Sequence, residues 1–444
     1  MRIAHLRFLL PFVVVAWRAS QPIGDNSFLW HVRAGTAQLD SGTVLTSDPF
    51  SFTASGVSWR TQSWLAELAY GWLENLTGGL GWVPAMKFLA ISLILVLLSL
   101  VLHKTLAGRP ALVLAAVFVV LWVSIPFAVA RPALLGAVLL ALVVAIAHME
   151  RRPLWLLPVL FWLWASVHGM FVVGLGYLLL DGLRRRSTRQ LIAVVCSGLA
   201  TILTAHGPGA WVTLLKFAQS RGALDLISEW GPPDFSSPFM LPFALVIVGL
   251  VVAGARKQLA VQHLWIAVPF MLFGLLAERN VWPAVIALAP ISVLAMRGLP
   301  RRARTVGAES AVLNVVIAAA LVAAGAVGVT RVAELSEERF PSAAAIAALE
   351  PGRVFAGSAV GGYLIYAEWP ERLVFIDDRA ELYGQEGFQR FVDMLDGIGV
   401  EEVFAQEAID QAILRADWGM VEILRSLGWK TNHSDEYFVV MSSF

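Results

Sequence analysis

The sequence predicts an α-helical polytopic membrane protein with a small α/β domain at its C-terminal end. Three observations predict this. Of 444 residues, 58% are hydrophobic and only 15% are charged, where a soluble globular domain carries roughly 25% charge. Apolar runs recur along the first three quarters of the chain. From Arg331 the composition turns polar, and strand-like runs alternate with helical ones.

A full crossing takes roughly 20 apolar residues. Runs that reach or approach it lie at 5–17, 86–103, 111–129, 133–148, 154–167, 170–183, 191–205, 239–255, 262–277, 281–296 and 310–330. They predict about 11 transmembrane helices. The first run, within MRIAHLRFLLPFVVVAW, lacks a small-x-small cleavage site and reads as an uncleaved span. Threaded from an inside N-terminus, alternate loops collect Arg2 and Arg7, Lys104 and Arg109, Arg151 and Arg152, Arg184 to Arg189, Arg256 and Lys257, and Arg297 to Arg304. Cytoplasmic loops collect lysine and arginine in this way. The intervening turns carry only Arg131 and Arg279. The alternation predicts a multi-pass protein of the cell (inner) membrane, N-terminus inside and C-terminus outside.

On this reading residues 1–330 form the transmembrane domain, with outer loops 18–85 and 206–238, and residues 331–444 form an extracytoplasmic α/β domain. The first loop holds two amphipathic stretches, Phe28–Leu39 and Ser63–Leu76. Leu65, Leu68, Ala69, Trp72, Leu73 and Leu76 give the second an apolar face, so both are expected to lie flat in the interface. In the C-terminal domain, strands at Arg353–Ala356, Leu373–Ile376 and Tyr437–Met441 and helices at 360–367, 385–396 and around 400–426 suggest a largely parallel sheet. The glycines of Gly357-Ser358-Ala359-Val360-Gly361-Gly362 do not follow the G-x-G-x-x-G spacing and no Walker lysine follows, so they read as a tight strand-to-helix turn.

A net charge of +1 gives no electrostatic footprint for nucleic acid. The one cysteine, Cys196, can form no disulfide within the chain and reads as apolar packing. H-E-x-x-H, a cysteine metal framework and G-x-S-x-G are all missing, which disfavours hydrolases of those kinds.

Charge is scarce, so the polar set assigned to the outer side carries information: Asp25, His31, Arg33, Asp48, Arg131, His168 and Arg279. Asp25, Asp48 and His31 are the catalytic candidates, and the two aspartates suit a general base or the oxygen ligands of a divalent cation, Mg or Mn. Arg131 and Arg279 suit bidentate contact with phosphate oxygens, with His168 and Arg33 beside them as candidates. Asp377-Asp378-Arg379 ends a strand, where α/β sites lie, and marks an acceptor or partner site. Each has a purely structural reading as well: Asp25 as a helix cap, Asp48 before Pro49 as a turn former, the arginines as snorkelling side chains, His168 as packing.

The string Asp25-Asn-Ser-Phe-Leu-Trp-His31-Val-Arg-Ala-Gly35, with Thr46-Ser-Asp-Pro-Phe-Ser-Phe52, resembles a bacterial branch of the type-C glycosyltransferases. So do Arg131-Pro132, His168-Gly169, Arg279-Asn280, Gly361-Gly362-Tyr363-Leu364 and Phe375-Ile-Asp-Asp-Arg-Ala380. These integral-membrane enzymes take a sugar from a polyprenyl-phosphate donor. The resemblance implies inverting transfer to a glycan, lipid or protein acceptor on the outer face. Asp25 would be the base, Asp48 a second acid or metal ligand, and Arg131 and Arg279 the holders of the donor phosphate. It also places Tyr363 with the acceptor or partner residues. The chain departs from the pattern at Gln62, where the branch carries an acid, and at Asn26, where many members pair a second acid with the first. Two other functions fit the same residues: a non-catalytic scaffold that binds lipid phosphate while its C-terminal domain recruits a partner, and a lipid or glycan transporter.

Overall fold

The computed structural model describes residues 10–106, 109–219, 228–296 and 334–443. The predicted span at 310–330, the start of the first span, and the basic residues Arg2, Arg7, Arg297, Arg301, Arg302 and Arg304 lie outside that range. In chain order the first helices are α1 (Leu10–Ala19), α2 (Asn26–Ser41), α3 (Trp64–Thr77), α4 (Val83–Thr105), α5 (Pro110–Ser124) and α6 (Pro132–Ala147). Then come α7 (Leu157–Val167), α8 (Phe171–Arg184), α9 (Thr188–Ala200), α10 (Gly209–Gln219), α11 (Leu241–Ala255), α12 (Val261–Leu276) and α13 (Val281–Ala295). The C-terminal part holds α14 (Ala343–Ala347), β1 (Arg353–Ala356), α15 (Ser358–Glu368), α16 (Ala380–Leu395), α17 (Val400–Gln406), β2 (Ile409–Arg415), α18 (Met420–Ser426), β3 (Lys430–Ser434) and β4 (Phe438–Ser442).

The chain divides into two compact units. One comprises Met1–Gln21, Leu80–Pro208 and Ser228–Val332; the other comprises Pro22–Gly79, Gly209–Ile227 and Ala333–Phe444. The stretch between the first two apolar runs therefore belongs with the C-terminal segment, not with the helices that flank it.

The helical unit corrects the span count. Among the described residues only α4, with 23 residues and a mean hydropathy of 2.6, is long and apolar enough to cross a membrane, and 44% of its apolar window is buried. The other apolar helices run 10–17 residues. A helix of about 16 residues rises about 24 Å, against a hydrocarbon core of about 30 Å. The runs at 154–167 and 170–183 form the short helices α7 and α8, which meet at the His168-Gly169 turn. The prediction of about 11 transmembrane helices is overturned. With it go the multi-pass inner-membrane placement and the assignment of an inside N-terminus and an extracytoplasmic C-terminal domain. Three of the cations in that alternation have a local role at helix ends. Lys104 and Arg184 lie in the last turns of α4 and α8, and Arg256 follows α11, where cations complement the exposed carbonyl end of a helix.

Burial is deepest in α13, where every residue from Val281 to Ile291 is buried. A helix apolar on all sides belongs at the centre of its unit. Its neighbour α12 approaches closely at Gly274, where an added Cβ would lie 2.4 Å from the Phe243 ring and 3.0 Å from Ala284.

The second unit is built around a four-stranded mixed sheet in the order β1-β2-β4-β3. β1 runs parallel to β2, while β4 runs antiparallel to both β2 and β3. This differs from the largely parallel sheet expected. The predicted strand Leu373–Ile376 makes only parallel bridges at Val374, one to Val354 and one to Ser51. Through the second bridge, Phe52 N donates to Val374 O and Val374 N to Phe50 O, each at 3.0 Å. The 46–59 loop is thereby stitched to the C-terminal segment.

Helices α2 and α3 pack on each other rather than lying flat. A Cβ on Gly35 would sit 1.8 Å from the carbonyl oxygen of Glu67, and one on Gly71 would sit 2.5 Å from the backbone of Gly35. Only two glycines permit this approach. The buried face of α3 is Ala66, Glu67, Tyr70 and Gly71, while Trp72 and Leu76 of the predicted apolar face are 56% and 65% exposed. Residues Gly361 and Gly362 of α15 serve close packing too, the first against Ile376 O and the second against Asn26 at the start of α2.

Candidate functional site

Three groups of polar side chains emerge, two in the sheet-containing unit and one in the helical unit. The first begins at Asp25, whose extended backbone places it as the N-cap of α2 with Oδ1 accepting from Phe28 N at 2.9 Å. One of its carboxylate oxygens therefore does the capping that the residue type favours. Two turns on, His31 Nδ1 lies 2.8 Å from Glu67 Oε1. Glu67 is fully buried, and it also accepts from the Thr61 hydroxyl and from Gln38 Nε2, the latter at 2.8 Å. The His31 ring stacks on Trp30 with centroids 3.6 Å apart. A turn beyond Glu67, burial drives the Tyr70 hydroxyl pKa far up, and the charges of Glu67 and Asp25 add to the shift. Asp25, His31, Glu67 and Tyr70 thus share one electrostatic neighbourhood. Among the described residues, His31 Nε2 makes no hydrogen bond, so the ring has the form of a carboxylate-oriented imidazole.

The second group is a closed ion cluster. Arg379, 1% exposed, donates to Asp377 through Nε at 2.8 Å and Nη2 at 2.6 Å, and to Asp48 Oδ1 through Nη1 at 2.7 Å. Its guanidinium lies 4.5 Å from the Trp59 ring, 5.3 Å from Phe50 and 5.6 Å from Trp30. Burial alone would lower its pKa, but the charge and hydrogen bonds of Asp377, with the Asp48 charge, outweigh that and hold it well above its usual value. Asp48 also accepts from Phe50 N, Ser51 N and the Ser51 hydroxyl, and Tyr383 donates to Asp377 Oδ2 at 2.8 Å. Asp378 takes the Ser27 hydroxyl and Trp30 Nε1, the latter at 2.8 Å. The Asp377-Asp378-Arg379 triplet is therefore a clamp joining α2 and the 46–59 loop to the C-terminal segment. With four donors on it, Asp48 does not fit the metal-ligand role expected of it. Among the described residues no three His, Cys, Asp or Glu side chains converge on a cation site.

The third group unites Arg131 and Arg279. Arg131 Nη1 meets Glu229 Oε1 at 2.9 Å, and the Arg279 guanidinium lies 4.1 Å from the Trp230 ring. Two short 3₁₀ turns, Ser228–Trp230 and Glu278–Asn280, present Glu229, Trp230 and Arg279 and are joined by Glu278 N donating to Gly231 O, while Arg131 is the N-cap of α6. Burial would raise the Glu229 pKa, but the two arginine charges override it and hold the carboxylate below its usual value. One carboxylate thus lies in the field of two guanidiniums, which the two 3₁₀ turns and the start of α6 bring together.

The remaining expected residues stand apart. His168 lies in the α7–α8 turn, its Nδ1 accepting from Met170 N at 3.1 Å. Arg33 belongs to the sheet-containing unit, where its Nε and Nη2 donate to Tyr366 O and tie α2 to α15. Tyr363 stacks on Phe340 at 5.3 Å. Sequence reasoning missed Glu67 and Glu229. The signal for Glu67 was available: an acid on the same face as Gly71, four residues on, is an acid on a packed helix face, and burial there demands partners. No family model matches the chain, and no curated protein is significantly similar to it.

Proposed function

We propose that the protein is a glycosyltransferase that moves a sugar from a polyprenyl-phosphate-linked donor to an acceptor hydroxyl, with His31 as the general base and Glu67 as its orienting partner. The observation that carries this reading is the 2.8 Å His31–Glu67 contact, with Glu67 fully buried and held by two further donors. Glu67 keeps the Nδ1 hydrogen in place and leaves the Nε2 lone pair for the acceptor proton. As that proton transfers, the acceptor oxygen bonds to the anomeric carbon and the sugar–phosphate bond breaks. The leaving phosphate is already anionic and needs no proton, so one base suffices for an inverting displacement. The imidazolium that forms is stabilised by Glu67. Asp25, expected as the base, serves here as the cap of α2. The sequence resemblance to the type-C enzymes supports the donor class.

The experiment is turnover with a polyprenyl-phosphate sugar panel. His31→Asn is expected to lose about 10²–10⁴-fold in kcat, whereas Asp25→Asn, which keeps a good cap, loses far less. Equal loss in the two variants would return the base to Asp25. A second reading, a non-catalytic protein that binds phosphate, is favoured by the Arg131–Glu229–Arg279 group. Saturable phosphate binding with no turnover across the panel would support it.

A further inference from the structure

We propose that the helical unit carries a site for a phosphate-bearing amphiphile in the groove at the start of α9, independent of the transfer site. The groove holds about 770 Å³, and its lining mixes cations, Arg151, Arg152 and Arg189, with Trp155, Ile192 and Cys196. That volume lies within the roughly 300–1,000 Å³ of small-molecule sites. Its charge is strongly one-sided. Its lining carries three arginines against one acid, Glu150. The neighbouring Asp181 is fully buried and already bound by Arg184 and Arg185. Arg152 is fixed: it donates to Gln190 Oε1, and Gln190, itself buried, is anchored through Nε2 to Leu178 O at 2.9 Å and Asp181 at 3.1 Å. Among the described residues Arg151 and Arg189 form no ion pair, so their charge is available. The α9 N-terminus adds its partial positive charge beside Arg189.

The apolar part of the lining decides the ligand class. Trp155 is 76% exposed and Ile192 58% exposed, beside Pro158 and Ala193. A free phosphate would use only the arginines and leave this apolar lining wet. A phosphate joined to an aliphatic chain satisfies both, through bidentate guanidinium contacts and burial of apolar surface. The structure thus points to a lipid phosphate rather than inorganic phosphate or a phosphosugar.

Cys196 makes the test direct, because it is the chain's one cysteine, is exposed, and lines the groove. The rate of iodoacetamide alkylation of Cys196 in the full-length chain is measured with dihexanoyl phosphatidic acid, dihexanoyl phosphatidylcholine or inorganic pyrophosphate, each lipid below its micelle threshold. Phosphatidic acid at ten times its Kd is expected to slow alkylation about tenfold, and the other two less than about twofold. The Arg151→Ala/Arg189→Ala double variant, both residues being exposed, should abolish the protection, and Ile192→Asp should weaken it. Absence of protection by phosphatidic acid overturns the proposal. So does equal protection by phosphatidylcholine, which would mark a merely apolar groove, or by pyrophosphate, which would mark a free-phosphate site. Protection that survives the double variant also overturns it.

Discussion

In the sheet-containing unit Arg379 is almost fully buried and meets two carboxylates and three aromatic rings. In the helical unit Arg151 and Arg189 edge an open groove and meet no carboxylate among the described residues. The same side chain is a structural rivet in one place and a binding group in the other. Solvation decides which. A guanidinium taken out of water needs every donor answered, or the site costs several kcal/mol. At a groove edge, water answers the donors until a ligand does. A charge-poor sequence can therefore hold charges of both kinds, and residue type alone does not separate them.

The contrast gives its largest expected effect at Arg379. Arg379→Met leaves Asp48 and Asp377 buried without their cation and should destabilise the protein by about 3–5 kcal/mol, read as a fall in the denaturant midpoint. Arg151→Ala should change stability by less than about 0.5 kcal/mol, because the exposed side chain supports nothing. If the two substitutions have equal effects, the distinction between rivet and binding group fails.

Gly35→Ala comes next. Its new methyl would meet the Glu67 carbonyl, and forcing α2 from α3 should cost about 1–3 kcal/mol. It should also move Glu67 away from His31, so lost turnover with only modest loss of folding would tie the helix crossing to the active group. Thermal unfolding and kcat measured on one preparation separate the two.

The smallest effect lies at Glu229. Its carboxylate pKa is held below the ordinary value of 4.5, so the folded state binds its proton less readily than the unfolded state does. The Arg131–Glu229 contribution is then complete above about pH 4.5 and is lost as pH falls through the lowered value. An Arg131→Gln comparison across pH 3–6 should show a stability gap that closes only at the acid end, and small throughout because the pair is partly exposed.

The positions of the helices were largely legible in the apolar runs, but their number of crossings was not. Hydropathy counts apolar residues without measuring the helices they form: the runs at 154–167 and 170–183, parted at His168-Gly169, give helices of only 11 and 14 residues. β2 was hidden because Ile409, Ala412 and Ile413 repeat at helical spacing, and pairing between β1 and β4 overrides that local signal. On α3 the aliphatic stripe pointed to the wrong face, since Glu67 and Tyr70 are buried by packing at Gly35 and Gly71. Of the candidate site, Asp25 and His31 were visible as polar residues in an apolar chain. The link from Asp48 to Arg379 spans 331 positions, and no local spacing rule reaches that far.

The account's central claim is that His31, oriented by Glu67, moves the acceptor proton. The most direct measurement is the pH profile of transfer from a polyprenyl-phosphate sugar by wild type, Glu67→Gln and His31→Asn. The proposal predicts turnover reduced about 10²–10⁴-fold in His31→Asn across the profile, and reduced less in Glu67→Gln, which keeps the imidazole but loses the carboxylate that orients it. Full turnover with an unchanged profile in His31→Asn would contradict it.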